Sequence, residues 1–147
     1  MIFAKSFYSA KHDNVFSNLL KEGILFILFE NVSSENQAKI VLQTCSILKN
    51  LLEDGGVSLT CCSFKIYLKL IELATFCNTE IIFEALDCLG SISQCQKSKM
   101  EMVKDKCYIS LAELFHKHRY SADIVHRLFL IILNLAQNVE AKTYFVE

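Results

Sequence analysis

The chain has 147 residues, 52% of them hydrophobic, a mean hydropathy of +0.32, and 15 basic against 16 acidic residues for a formal net charge of −1. One domain's length with ample apolar material for a core follows, and so balanced a charge excludes a global field that would draw the chain onto a phosphate backbone or an anionic membrane. The longest apolar runs, 24–29 and 128–133, fall far short of the roughly 20 residues a spanning helix requires.

Residues 1–13 scatter Lys5, Lys11 and His12 among Ser and Tyr, without the apolar block of a secretory signal. Asp13 is an N-cap candidate before Val15, Phe16, Leu19 and Leu20, and Gly23 interrupts the pattern so that a short helix meets a longer one there. Ser33 and Ser34, with Gln37 placed as in a capping box, open an amphipathic helix over about 35–53 that Asp54-Gly55-Gly56 ends. The next helix spans about 64–76, where Ile66, Leu70 and Leu73 with Tyr67, Ile71 and Ala74 make one wide apolar face. Cys77-Asn78-Thr79 breaks it, and Thr79 and Glu80 start a second long helix that fades near 94–96. A short charged helix over 97–105 precedes one carrying Ile109, Leu111, Ala112, Leu114 and Phe115. Residues 116–120 read as a basic loop, and Ser121 with Asp123 starts a third long helix to about Gln137. With no proline and no alternating apolar and polar runs, the fold class is all-α.

The long helices repeat one another. Ile40, Val41, Cys45, Leu48 and Asn50 fall over Ile81, Ile82, Leu86, Leu89 and Ser91, and then over Ile124, Val125, Phe129, Ile132 and Asn134, at offsets of 41 and 43 residues. A period of this size is the mark of stacked helical units that bury their apolar faces only against neighbours. Three repeats result, about 13–54, 55–96 and 97–138, with 139–147 reading as the start of a further one. The high apolar content predicts a piece of a longer array or an oligomer.

The junction Leu19-Leu20-Lys21-Glu22-Gly23-Ile24-Leu25, the loop Ser33-Ser34-Glu35-Asn36, and the endings Leu48-Lys49-Asn50-Leu51 and Leu133-Asn134-Leu135-Ala136 resemble the armadillo-repeat family, with the HEAT repeat as close cousin. The resemblance covers about Asp13 to the C-terminus and implies a right-handed α-solenoid. Gly23 has no counterpart in the next two copies, where Lys65 and Lys106 fall nearby, and the first helix of the middle repeat shrinks to about 57–60.

In that family the third helices of successive repeats line a concave groove that takes extended peptides or helices. Here positions spaced 7, 4 and 3 residues apart give Gln43, Ser46, Asn50 and Glu53, then Glu84, Asp87, Ser91 and Gln94, then Arg127, Leu130, Asn134 and Gln137, of which Leu130 alone is apolar. Such spacing shares one helix face, so stacked repeats make a polar stripe of three rows. Asn and Gln both donate and accept, which suits a partner's backbone amides; the same polarity would also serve a merely solvated face. Asn50 and Asn134 match the asparagine with which the family grips peptide backbone, and Ser91 replaces it in the middle row. The family's nuclear-import members carry Trp where this chain has Ser46, Asp87 and Leu130, and the absence of any Trp speaks against that role. Glu53, Glu84 and Asp87 bias the first two rows negative, so the expected partner is a protein segment with basic residues.

Other chemistry finds less support. Lys97, Lys99, Lys104 and Lys106, with Lys117, His118 and Arg119, form a basic set, but Glu101 and Asp105 interrupt it and no aromatic interleaving points to nucleic acid. Cys107, His116, His118 and His126 lack the spacing of a metal site, no Gly-rich phosphate loop or Gly-flanked serine nucleophile is present, and the seven cysteines sit mostly where a helix wants a small apolar residue. The expected protein is a non-enzymatic intracellular interaction module without metal, cofactor or small-molecule substrate, cytoplasmic, cytoskeletal, centrosomal or nuclear. The alternatives are a structural spacer and a segment that self-associates through apolar ends such as Phe3, Phe7 and Tyr8 or Tyr144 and Phe145.

Overall fold

The computed structural model describes residues 18, 38–52, 62–75, 78–139 and 142. These form six helices: α1 (Ala38–Leu51), α2 (Ile66–Leu73), α3 (Thr79–Ile92), α4 (Gln96–Lys104), α5 (Cys107–Lys117) and α6 (Ala122–Ala136). No strand occurs among the described residues, as the periodicity predicts. The expected N-terminal helices, the caps at Ser33 and Ser34, the Asp54-Gly55-Gly56 stop, the 57–60 helix and most of the 139–147 segment lie outside them.

Each boundary has a local cause. At the start of α3 the Asn78 Oδ1 accepts the N–H groups of Glu80 and Ile81 at 3.0 and 3.2 Å, and Glu80 complements the positive helix end. The helix then ends at Ile92 rather than fading to Gln96, because Cys95 already takes extended backbone and α4 begins beyond it. Residues 116 and 117, expected in a loop, continue α5, where His116 and Lys117 face the negative end of the helix. Before α2 and α5 the chain turns tightly through Lys65 (φ 53°, ψ 36°) and Lys106 (φ 57°, ψ 32°), both left-handed. Both positions thus take a backbone geometry that favours glycine while carrying lysine. Each turn closes with the same two bonds: Lys65 N–H to the Cys62 carbonyl and Leu68 N–H to the Lys65 carbonyl, then Lys106 N–H to Val103 and Ile109 N–H to Lys106, all 3.0 Å.

Helix α3 lies at the centre, packed against α1 on one side, α6 on the other, and α2; α6 also rests on α4 and α5, and α5 touches α2. Leu86, Leu89 and Ile92 of α3 join Tyr67 and Leu70 of α2, Leu111 of α5 and Leu128 of α6 in one core. The apolar face read for α2 is buried at all six positions.

Two polar ties hold α2 to the segment of α4 and α5. Lys117 donates to the Thr75 carbonyl just past the end of α2, at 3.0 Å. The hydroxyl of Tyr67, fully buried, donates to the Asp105 carboxylate, to which Lys65 Nζ also donates at 3.1 Å. Burial, and then the Asp105 charge it faces, raise the Tyr67 phenol above its usual range. The same hydroxyl, and then Lys65, hold Asp105 below the ordinary carboxylate value. A carboxylate depressed on folding contributes stability above its unfolded value of about 4 and loses it as pH falls through the folded value. Urea midpoints taken at about pH 6 and about pH 3 should therefore drop less for Asp105→Asn than for the parent chain; an equal drop would place the acid sensitivity elsewhere.

Candidate polar face of the long helices

The rows predicted for the partner groove divide into an open part and a knitted part. On α1, Gln43, Ser46 and Asn50 are exposed, as are Gln94 just past α3 and Gln137 just past α6. Glu84, Asp87 and Ser91 on α3 and Arg127 and Asn134 on α6 are half-buried, Leu130 is exposed, and Glu53 lies outside the described residues.

Half-burial has a cause: these side chains bind one another across the helices. Asp87 sits between the other two long helices, taking Arg127 Nε at 2.9 Å on one oxygen and Lys49 Nζ at 3.1 Å on the other. Lys49 also approaches Glu84 at 3.6 Å. Its hydrogen bond to Asp87 raises the Lys49 pKa, against an opposing effect of burial. The Arg127 guanidinium lies 4.4 Å above the ring of Phe83 and donates to the Asp123 carbonyl one turn back. Asn134 Nδ2 donates to the Ser93 hydroxyl at 2.9 Å and toward the Gly90 carbonyl at 3.4 Å, so this amide faces α3, whereas Asn50 faces outward. Ser91 donates to the Asp87 carbonyl of its own helix.

Lys49 and Phe83 are the residues that sequence reasoning missed. Both lie outside the 7, 4, 3 spacing, and Lys49 was legible only as a helix ending; its position beside Asp87 depends on how α1 is laid against α3. With Lys49 and Arg127 in place, the Asp87 part of the acidic bias is neutralised locally, while Glu84 has only the more distant Lys49.

Between α1 and α3 runs an open cleft of about 420 Å³, with Leu42 and Phe83 against Gln43 and Ser46 on one side and Glu80 and Glu84 on the other, and Lys39 beside them. It can hold a narrow segment by apolar contact along its floor and hydrogen bonds from its rim.

The basic set is dispersed. Lys99 is buried, Lys104 pairs with Glu101 at 3.2 Å, Lys117 is tied to Thr75, and the Arg119 guanidinium stacks 4.7 Å from the Tyr120 ring. Among the described residues no group of three His, Cys, Asp or Glu side chains is placed to hold a metal ion. Cys45, Cys62, Cys88 and Cys107 are buried free thiols and Cys95 a half-buried one. Burial, helped by Asp105, pushes the Cys107 thiol up to about 12, far from the thiolate that nucleophilic chemistry uses. No helix among the described residues is long and apolar enough to cross a membrane. No protein-family model matches the chain, and neither a curated protein nor a solved structure matches it.

Proposed function

We propose that this chain is a non-enzymatic interaction module, an armadillo-type α-solenoid segment that holds a partner protein's extended peptide or helix along its long helices. One observation carries the reading: an open cleft with an apolar floor between two repeated helices, rimmed by the exposed Gln43 and Ser46, with Asn50 one turn further along α1. Side-chain amides and hydroxyls at such a rim bind backbone without demanding a particular side-chain sequence. Asp87 is already held by two cations, so any preference for basic partner residues falls to Glu80 and Glu84. The proposed setting is cytoplasmic or nuclear.

A random peptide library selected against the chain should yield binders that Gln43→Ala with Asn50→Ala weakens about tenfold, the equivalent of about 1.4 kcal/mol, at unchanged melting temperature. Glu84→Gln should weaken those binders that carry Lys or Arg and spare the rest. Binders indifferent to Gln43 and Asn50, or no binders at all, would leave a structural spacer as the better description.

A further inference from the structure

The three long helices carry the same two apolar stripes. On α3 the first holds Ile81 and Cys88, and the Cys88 thiol donates to the Cys45 carbonyl of α1 at 3.3 Å, so this stripe faces the preceding long helix. The second holds Ile82, Leu86 and Leu89, and it flanks Asp87 and Gly90, the residues that meet Arg127 and Asn134 of the following long helix. On α3 both stripes are covered, all five side chains at 3% exposure or less.

On each of the other two long helices, α1 and α6, one stripe is open. On α1 the second stripe, Val41, Cys45 and Leu48, is buried under α3, but the first leaves Ile40 and Ile47 at 47% and 57% exposed. On α6 the pattern reverses. Ile124 and Ile131 of the first stripe are buried, while Val125 and Ile132 of the second are half-open and Phe129 is 61% exposed, flanked by exposed Leu130 and Leu133. Helix α6 therefore leaves open the stripe that α1 and α3 each bury against the following long helix, and α1 leaves open the stripe that α3 and α6 each lay on the preceding one.

We propose that a second copy of this chain lays the Ile40–Ile47 stripe of its α1 on the Val125–Phe129–Ile132 stripe of α6, continuing the α1–α3–α6 stack from molecule to molecule. The occupant is argued from continuity with the internal interface and from the repeat register, independently of any partner in the polar face. An exposed, contiguous apolar surface of this kind is what association sites present, and contact between unlike surfaces adds copies in a row rather than closing a pair. The intermolecular junction is weaker than the internal ones: in register, α6 carries Leu130 where α3 carries Asp87, so the charge bridge to the next long helix has no counterpart there.

Light scattering of the full chain over a range of concentrations tests this. The average mass should climb above the 16.8 kDa of one chain as concentration rises. Phe129→Glu and Ile47→Glu, each at an exposed position, should separately hold it at one chain, with unchanged helical circular dichroism. An equimolar mixture of the two variants should then reach twice 16.8 kDa and no more, because one intact junction remains between them. Three outcomes overturn the proposal: a parent chain that stays monomeric throughout, an Ile47→Glu chain that still associates through α6 alone, or a mixture that stays at the mass of one chain.

Discussion

Leu89→Ala is expected to cost about 3 kcal/mol of unfolding free energy, near the middle of the range for truncating a fully buried leucine. Leu89 has no exposed surface, and it lies on the central helix within a core shared with α2, α5 and α6. The cavity would open inside that shared core, and a close-packed interior collapses into such a space only partly. For a chain of this size that loss corresponds to a melting temperature lower by about 9 °C. The informative control is Ile132→Ala. Ile132 occupies the same register position on α6 but is half-open to solvent, so its truncation should cost about 1 kcal/mol. Urea unfolding with an unchanged slope measures both. Equal losses at the two positions would mean that stacking against a following helix adds nothing to the burial of this stripe.

Asp87→Ala is expected to cost about 2 kcal/mol, because one carboxylate accepts charge-assisted bonds from both flanking long helices. The two halves are unequal. Arg127 is about a quarter exposed and also stacks on Phe83, whereas Lys49 is 42% exposed and better screened by water. A double-mutant cycle should therefore find stronger coupling between Asp87 and Arg127 than between Asp87 and Lys49. High salt should shrink the Lys49 coupling first. If Asp87→Asn were as stable as the parent, the carboxylate charge would not be what ties the helices, and the cluster would count as solvated surface.

The helices and their faces were legible in the sequence because helical periodicity depends on side chains three and four residues apart, which no fold can separate. Repetition of Ile40, Ile81 and Ile124 with their neighbours also marked which helices would be alike. Ends proved less legible. The rise of α5 through Lys117 and the stop of α3 before Cys95 are set by which turn the chain must make next, and the left-handed lysines at 65 and 106 show that a required backbone geometry outweighs residue preference when the surrounding packing demands it.

By itself the sequence determined the helices of the described residues, the positions of the buried stripes in α2 and α3, and a row of polar residues along each long helix. Which of those polar residues look outward was decided by tertiary structure alone. Asn50 and Asn134 stand at equivalent register positions, yet one is exposed and the other donates to Ser93, because a helix lies against α6 on the side where Asn134 points. Equivalent positions likewise end up covered on one long helix and open on another, as Cys88 is buried while Ile47 is 57% exposed and Leu86 is buried while Phe129 is 61% exposed, since burial belongs to the neighbour that supplies it and a local pattern contains no record of that neighbour.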